Sequence, residues 1–576
     1  MKRTLLFAAT LTFTFTMNAQ IPELTTDAKK KKPSNIKVSY KHFIMYGQSL
    51  STGQQSYPVI SSENIAGNYM IGDQIWINYS CNDTSPTFNP LRGTIANAFE
   101  TQKTIMSRIS GTFAECPLMG AVNHIQLMIP GQKIVATSCG TSGMSIEQLS
   151  KESQTTTNYN YFTKTLKYAG DIANNTNSSI YCPAIFWMQG EWNYNGYGEG
   201  LTSGTSSSTD RETYKYLLLT LKNNMQADVI SNYGQLVDPI FITYQSGGYY
   251  LKGKKQSIGM AQLEASNEKA DIICAGPIYP MTDRTGHLDT NGYRWYGEML
   301  GKVFYTTTIL GQDFKPLQPK TIVRTEESNK ILIQFLVPKM PLVLDSLILP
   351  KSKNYGFEIY VNDIKQDITD VKLIDDCVIL TCSEPLTGVV EVAYAGQNTG
   401  GNGNLRDSDP YLSLFNYIDL DKKNDDESYV YPRDSTEYTL RPIYEPKDTS
   451  GHVIYDQPYP LYNFCASFYY KLEENEQSYS VPNLVLYTCT SKPRIKPDLT
   501  ASIIGKTLFL TINVSDDNVS RISVFNTSGA LVYSFNEGTD LNETTKKYSL
   551  STLNSGFYIA KIETKKQIKT LKFILE

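Results

Sequence analysis

The chain has 576 residues, 40% of them apolar and 19% charged, with a formal net charge of −4. That length allows about three or four folding units, each with its own core. The near-neutral charge excludes nucleic acid as the main partner, because phosphate backbones call for clustered Lys and Arg. Nine scattered cysteines form no Cys-x-x-Cys pair, and only His42, His124, His287 and His452 are available for chemistry. The usual Cys/His zinc spacings therefore cannot be built.

Lys2 and Arg3 precede an apolar stretch from Thr4 to about Met17, followed by Asn18-Ala19-Gln20. This is the layout of a secretory signal peptide over residues 1–19. The stretch is too short and too rich in threonine to span a membrane, and it carries no cysteine for lipid attachment. No later run of about 18 apolar residues follows, so no integral membrane span is expected.

After a Lys-rich linker, 20–39, apolar runs alternate with helix-period segments from residue 40 to 315. Strands are expected at Phe43–Tyr46, Ile134–Thr137, Ala184–Met188, Ile240–Tyr244 and Ile272–Ala275. Helices are expected at Ile95–Ile109, Tyr161–Ala173, Glu212–Ile230, Ser257–Lys269 and Asn291–Val303. Continuous apolar strands alternating with helices predict an α/β domain, a parallel sheet covered on both faces. Ligands of such sheets sit outside the carboxyl ends of the strands.

From residue 316 to 472 the pattern turns to β, with runs at Ile331–Leu336, Leu342–Leu349, Phe357–Val361, Val378–Cys382 and Val389–Ala395. A β-sandwich is expected there. A polar, proline-punctuated linker, 473–498, leads to a last β module at 499–576, with strands at Ile503–Val514, Ile522–Phe525, Leu531–Phe535, Phe557–Ile562 and Leu571–Leu575.

Four segments follow strands of the α/β domain. Gly47-Gln48-Ser49 turns sharply after the first strand and presents a hydroxyl, which needs a histidine to become a nucleophile. Ser142-Gly143-Met144-Ser145 offers a glycine N–H to an oxyanion and Ser145 as a helix start. Gln189-Gly190-Glu191-Trp192-Asn193 adds an amide that can donate to the same oxyanion. Asp283-Arg284-Thr285-Gly286-His287 supplies a base facing Ser49, with a nearby carboxylate to fix its tautomer. Gly297 and Gly301, further on, suggest close packing of the following helix against the sheet. His42, before the first strand, His124, in a core-facing segment, and His452, in the second module, are read as structural or solvated.

These blocks resemble the SGNH hydrolases, in the branch of sialate O-acetylesterase-like and related carbohydrate acetylesterases. Gly47-Gln48-Ser49-Leu50-Ser51 is similar to the nucleophile block, and Ser142-Gly143-Met144-Ser145-Ile146-Glu147 to the second block. Trp187-Met188-Gln189-Gly190-Glu191 matches the Trp-x-Gln-Gly-Glu block, and His287-Leu288 resembles the last one. The resemblance covers residues 40–310. It implies a flavodoxin-like three-layer domain. Ser49 would be the nucleophile, His287 the base and Asp283 the triad acid. Ser49, Gly143 and Gln189 would hold the oxyanion, with Gln48, Glu191 and Asn193 at the substrate. Leu50 stands where the family has Asn, and Asp283 lies four residues before the histidine instead of three, so Asp289 and Glu191 are alternative acids. Asp289 more naturally caps the following helix.

The implied activity is a secreted serine esterase that deacetylates carbohydrate without metal or cofactor. The alternatives are an esterase or lipase acting on other acyl esters, and a non-catalytic surface glycan-binding protein. Trp192, Trp295 and Tyr194 are candidate sugar platforms. Ile522-Ser523-Val524-Phe525-Asn526, Gly529, and Ser555-Gly556-Phe557-Tyr558 resemble the C-terminal sorting domains of the type IX secretion system, which implies that export machinery as partner and secretion or surface attachment.

Overall fold

The computed structural model describes residues 39–484, except 57, 78–85, 94–114, 249–250, 252, 283–285 and 432–441. It also describes 499–575, except 505–506, 513–518, 527–530, 537–544, 555 and 565–567. The expected signal peptide, most of the 20–39 linker, the helix at Ile95–Ile109, Asp283 and the 485–498 part of the second linker lie outside the described residues. The chain divides into two compact units, Met1–Val485 and Leu486–Glu576.

The first unit is built on an eight-stranded sheet. Its strands are β1 (Ser39–Gly47), β2 (Asn68–Ile71), β3 (Phe88–Pro90), β4 (Ile134–Ser138), β5 (Ser179–Tyr181), β6 (Ala184–Met188), β7 (Ile240–Gln245) and β8 (Ile272–Pro277), in the order β3-β2-β4-β1-β6-β7-β8 with β5 beside β1. All these pairings are parallel except β2 with β3. Alternate residues of β1 feed two cores. Phe43 and Met45 join the core that holds α1 (Pro117–Met128) and α2 (Thr290–Phe304), while Ile44 and Tyr46 join that of α3 (Thr157–Asn175) and α4 (Arg211–Tyr233). A sheet buried on both faces has no polar face to show, which is why its strands read as unbroken apolar runs. The result is the three-layer α/β arrangement.

Two larger antiparallel sheets follow, with two two-stranded ones beside them. One contains Ile368–Ile374, Cys377–Cys382, Lys330–Leu336, Gln318–Arg324 and Ser478–Ser480, and the other Ile364–Lys365, Phe357–Val361, Val390–Tyr394 and Phe468–Leu472. Phe335 of the first meets Phe468 of the second edge-on, with ring centroids 6.2 Å apart. Of the expected strand Leu342–Leu349, only Val343–Leu344 forms, paired with Leu405–Arg406. In the C-terminal unit, the run Ile503–Val514 proves to belong to two antiparallel strands, Leu499–Ile504 and Thr507–Ile512, with Ile504 opposite Thr507.

The change of architecture at residue 316 is not a break in packing. All fifteen residues of α2 are buried, including three charged ones spaced four apart that meet the second module. Arg294 donates to Tyr459 Oη (3.1 Å) and to the Asn416 carbonyl (2.7 Å). Glu298 accepts from Ser413 Oγ (2.6 Å) and the Leu414 N–H (2.9 Å). Lys302 donates to Asp409 (2.7 Å), the Leu461 carbonyl (2.6 Å) and Asn463 (3.1 Å). Trp295 stacks on Tyr459 and gives its N–H to Pro460 O (2.9 Å). The adjoining face of α2 carries Gly297 and Gly301, which approach α1 and not the sheet as expected: a Cβ on Gly297 would strike the Pro117 carbonyl, and one on Gly301 would lie 2.8 Å from Ala121 O.

Burial lowers the pKa of Lys302, against the pull of Asp409. Removing one member of a buried charged cluster costs about 3–5 kcal/mol, because its partners remain desolvated. Lys302→Ala should therefore lower the unfolding free energy by about 3 kcal/mol in urea titration. A chain ending at residue 315 should show no cooperative transition.

Candidate active site

The ends of β4, β1 and β6 are joined by backbone bonds: Cys139 N–H to Met45 O, Thr141 N–H to Gly47 O, and Gln48 N–H to Met188 O, each 2.9 Å. Gly47 has φ +150°, and a side chain there would collide with the Met188 carbonyl, so only glycine lets β1 turn this close to β6. The turn carries Ser49 to the first position of a short helix, Ser49–Thr52. There its N–H lies among those for which a helix offers no internal partner.

His287 Nε2 stands 2.8 Å from Ser49 Oγ. The two residues are 238 positions apart in sequence, so only the tertiary fold brings them together. Ser49 is buried and His287 half-buried. The segment after His287 is pinned on both flanks. Asp289 caps α2, accepting the Gly292 N–H (2.7 Å) and the Thr282 hydroxyl. Thr290 Oγ1 donates to Ser56 O and Pro58 O, and Tyr293 Oη donates to Gln54 O (2.9 Å), both within the loop that follows Ser49. On the other side, Asn291 exchanges two 2.9 Å hydrogen bonds with the backbone of Ile418 and accepts one from Tyr459 (2.8 Å). Nothing in the local pattern of Asn291 marks it, because its partners lie more than a hundred residues on.

Gly143 has φ +68°, the left-handed region that glycine tolerates, and its Cα faces the ring of Trp192. Ser145 caps the helix Ile146–Leu149 in a reciprocal capping box with Gln148.

The remaining expected site residues sit differently. Gln189 is fully buried; its Nε2 donates to Asn193 Oδ1 (2.6 Å) and Met144 O (3.2 Å), and its Oε1 accepts from Tyr214 Oη (2.8 Å). Its amide ties the end of β6 to the Gly143 loop and is not turned to an oxyanion, contrary to expectation. Gln48 Oε1 accepts the N–H groups of Gly190 (3.3 Å) and Trp192 (3.2 Å). Asn193 bonds Ile146 N–H, Glu147 and Ser208 O, and buried Glu191 takes the hydroxyl of Tyr244. These three tie together the loops around the site. Of the aromatic candidates, Trp295 and Tyr194 are buried. Trp192 is half-buried and stands edge-on to Tyr197, 5.3 Å between centroids, and Tyr197 is 56% exposed. Tyr197 has no mark in the sequence beyond its closeness to Trp192.

The other histidines do other work. His42 lies inside β1, not before it, between Tyr233 Oη (2.6 Å) and Thr137 Oγ1 (2.7 Å). His124 joins Glu298 to Tyr411 in the core, and His452 lies in an exposed turn closed by Asp448. Among the described residues, no group of three or more His, Cys, Asp or Glu is placed to hold a metal ion, and no helix is long and apolar enough to cross a membrane.

Residues 506–576 match the family described as Secretion system C-terminal sorting domain, so the chain is one that is exported, to be secreted or held at the cell surface, by the type IX system. A comparison with curated proteins gave no match. Among solved structures the chain is similar to a carbohydrate acetylesterase from Xanthomonas citri, with a TM-score of 0.42 and 15% identity over 63% of this chain and 77% of that one. It is also similar to NanS, with a TM-score of 0.32 and 13% identity over 48% and 98%. A third is an immunoglobulin-like β-sandwich protein from Bacteroides vulgatus, with a TM-score of 0.13 and 18% identity over 14% and 85%. At these scores the functional reading rests on the site itself.

Two outcomes follow from this geometry. Asn291→Ala should lower kcat by about tenfold, as expected when a base is left loosely held, with a smaller change in KM; steady-state kinetics separates the two. Burial also pulls the pKa of His42 from 6.5 to about 3. The unfolded chain then takes up this proton first, so the contribution of His42 to stability is complete above pH 6.5 and is lost as the pH falls toward 3, by up to about 1.4 kcal/mol per unit. In urea unfolding at pH 7 and 4.5, His42→Asn should show a smaller difference between the two pH values than the parent.

Proposed function

We propose that the chain is a secreted serine esterase that removes acetyl groups from carbohydrate through an acyl-enzyme. The observation that carries this reading is the 2.8 Å contact between Ser49 Oγ and His287 Nε2 at the carboxyl ends of a parallel sheet, where such folds place their ligands.

In the proposed reaction, Ser49 Oγ attacks the acyl carbonyl as its proton passes to His287 Nε2. The oxyanion is held by the N–H groups of Ser49 and Gly143, and collapse expels the sugar hydroxyl, which takes the proton from His287. Water then attacks the acetyl-serine with His287 as base, and acetate leaves. Asp283 is assigned as the acid that orients His287. Trp192, beside Gly143, and Tyr197, edge-on to Trp192, each offer an aromatic face of the kind a pyranose ring packs against. Residues 40–315 carry the chemistry, 316–472 form the accessory sandwich, and 499–576 direct export.

Ser49→Ala should cut acetate release from acetylated glycan by about 10⁴-fold or more while leaving the unfolding midpoint in place. Undiminished release would remove Ser49 from the mechanism. Asp283→Asn should lower kcat by about 10³–10⁴-fold. If Asp283→Asn keeps its rate and Glu191→Gln loses it, the acid is Glu191.

A further inference from the structure

A cavity of about 440 Å³ opens between the loop after β7 and the second module, within the size range of small-molecule sites. Its lining combines amide and hydroxyl groups from Ser352, Gln397 and Asn402 with apolar surface from Ile443 and Tyr444. Lys351 is the one charged residue among the described residues that line it. Ile443 is 63% exposed. Side-chain amides both donate and accept, which suits neighbouring sugar hydroxyls.

The walls are fixed in place. Gln397 Oε1 accepts the Gly253 N–H (2.7 Å), the Ser352 N–H bonds Asn404 Oδ1 (2.8 Å), and the backbone of Gly401 lies against that of Gly248. Tyr444 donates its hydroxyl to Met281 O (2.8 Å), six residues before His287. Gly248 lies just beyond β7, two strands along the sheet from β1. At about 4.8 Å between strands, that is roughly 10 Å from the strand bearing Ser49, measured across the sheet.

We propose that this cavity is a carbohydrate subsite, receiving a sugar unit of the same glycan whose acetyl group is presented to Ser49. The proposal rests on the esterase reading and deepens it. The second module would thus contribute to substrate choice as well as to folding.

The test uses the full chain and the double substitution Gln397→Ala with Asn402→Ala, alongside Ile443→Ser. With 4-nitrophenyl acetate, kcat/KM should stay within about twofold of the parent, because a small ester does not reach the cavity. With acetylated xylan or acetylated pectin, KM should rise about tenfold, the loss expected from two hydrogen bonds. Lys351→Gln distinguishes the sources: a loss confined to pectin marks an acidic sugar unit, and no loss marks a neutral one. Calorimetric titration of xylo-oligosaccharide and oligogalacturonide into the Ser49→Ala protein reads the subsite without catalysis. Binding that weakens about tenfold in the cavity variants supports the subsite even if no ester is hydrolysed. Binding and KM unchanged by all the cavity variants overturn it, as does an equal loss on the small ester and the polysaccharides.

Discussion

Arg294, Glu298 and Lys302 stand four residues apart on a helix with no exposed residue, and each charge must find its partners where it lies. A buried charge left without them costs several kcal/mol. The partners come from a stretch of chain more than a hundred residues later: Asn416 and Tyr459, Ser413 and Leu414, Asp409 and Asn463. The α/β sheet and the second module are therefore held together by buried polar bonds, around a helix whose adjoining face is pressed onto Pro117–Met128 through Gly297 and Gly301.

That constraint reaches the site because the same helix begins three residues after His287. Its first turn is bonded through Thr290 and Tyr293 to the loop that follows Ser49, and through Asn291 to Ile418 and Tyr459. Ser49 is set by the crowding of β1 against β6 at Gly47, and His287 by the seating of the helix between two modules. A contact of 2.8 Å between residues from opposite ends of the α/β domain is what results when both anchors are rigid, and rigidity of this kind is what orients a base for proton transfer.

Much of this was legible in the sequence, for physical reasons that also explain the rest. Ala184–Met188 and Ile240–Gln245 are buried on both faces, so they stand out as apolar runs. The long helices Thr157–Asn175 and Arg211–Tyr233 keep a solvent side and hence a period. Pro117–Met128 was lost because almost every residue in it is buried, leaving no alternation to read. Gln318–Arg324, interrupted by Pro319, and Ile368–Ile374, at a sheet edge with mostly exposed residues, carry weak strand patterns. Ser49, Gly143 and His287 could be picked out because each follows a strand. The inward turn of Gln189 could not, since it depends on Asn193 and on Tyr214 of a later helix. The charged stripe of the last helix reads as a solvated face until the second module is seen covering it.

The central claim is that His287 activates Ser49, and covalent trapping tests it most directly. After incubation of the full chain with an organophosphonate ester, which reacts only with an activated serine, peptide mass spectrometry should find one equivalent of label on Ser49. The label should be absent when His287 is replaced by Ala. Labelling at another serine, or labelling of Ser49 that survives loss of His287, would contradict the account.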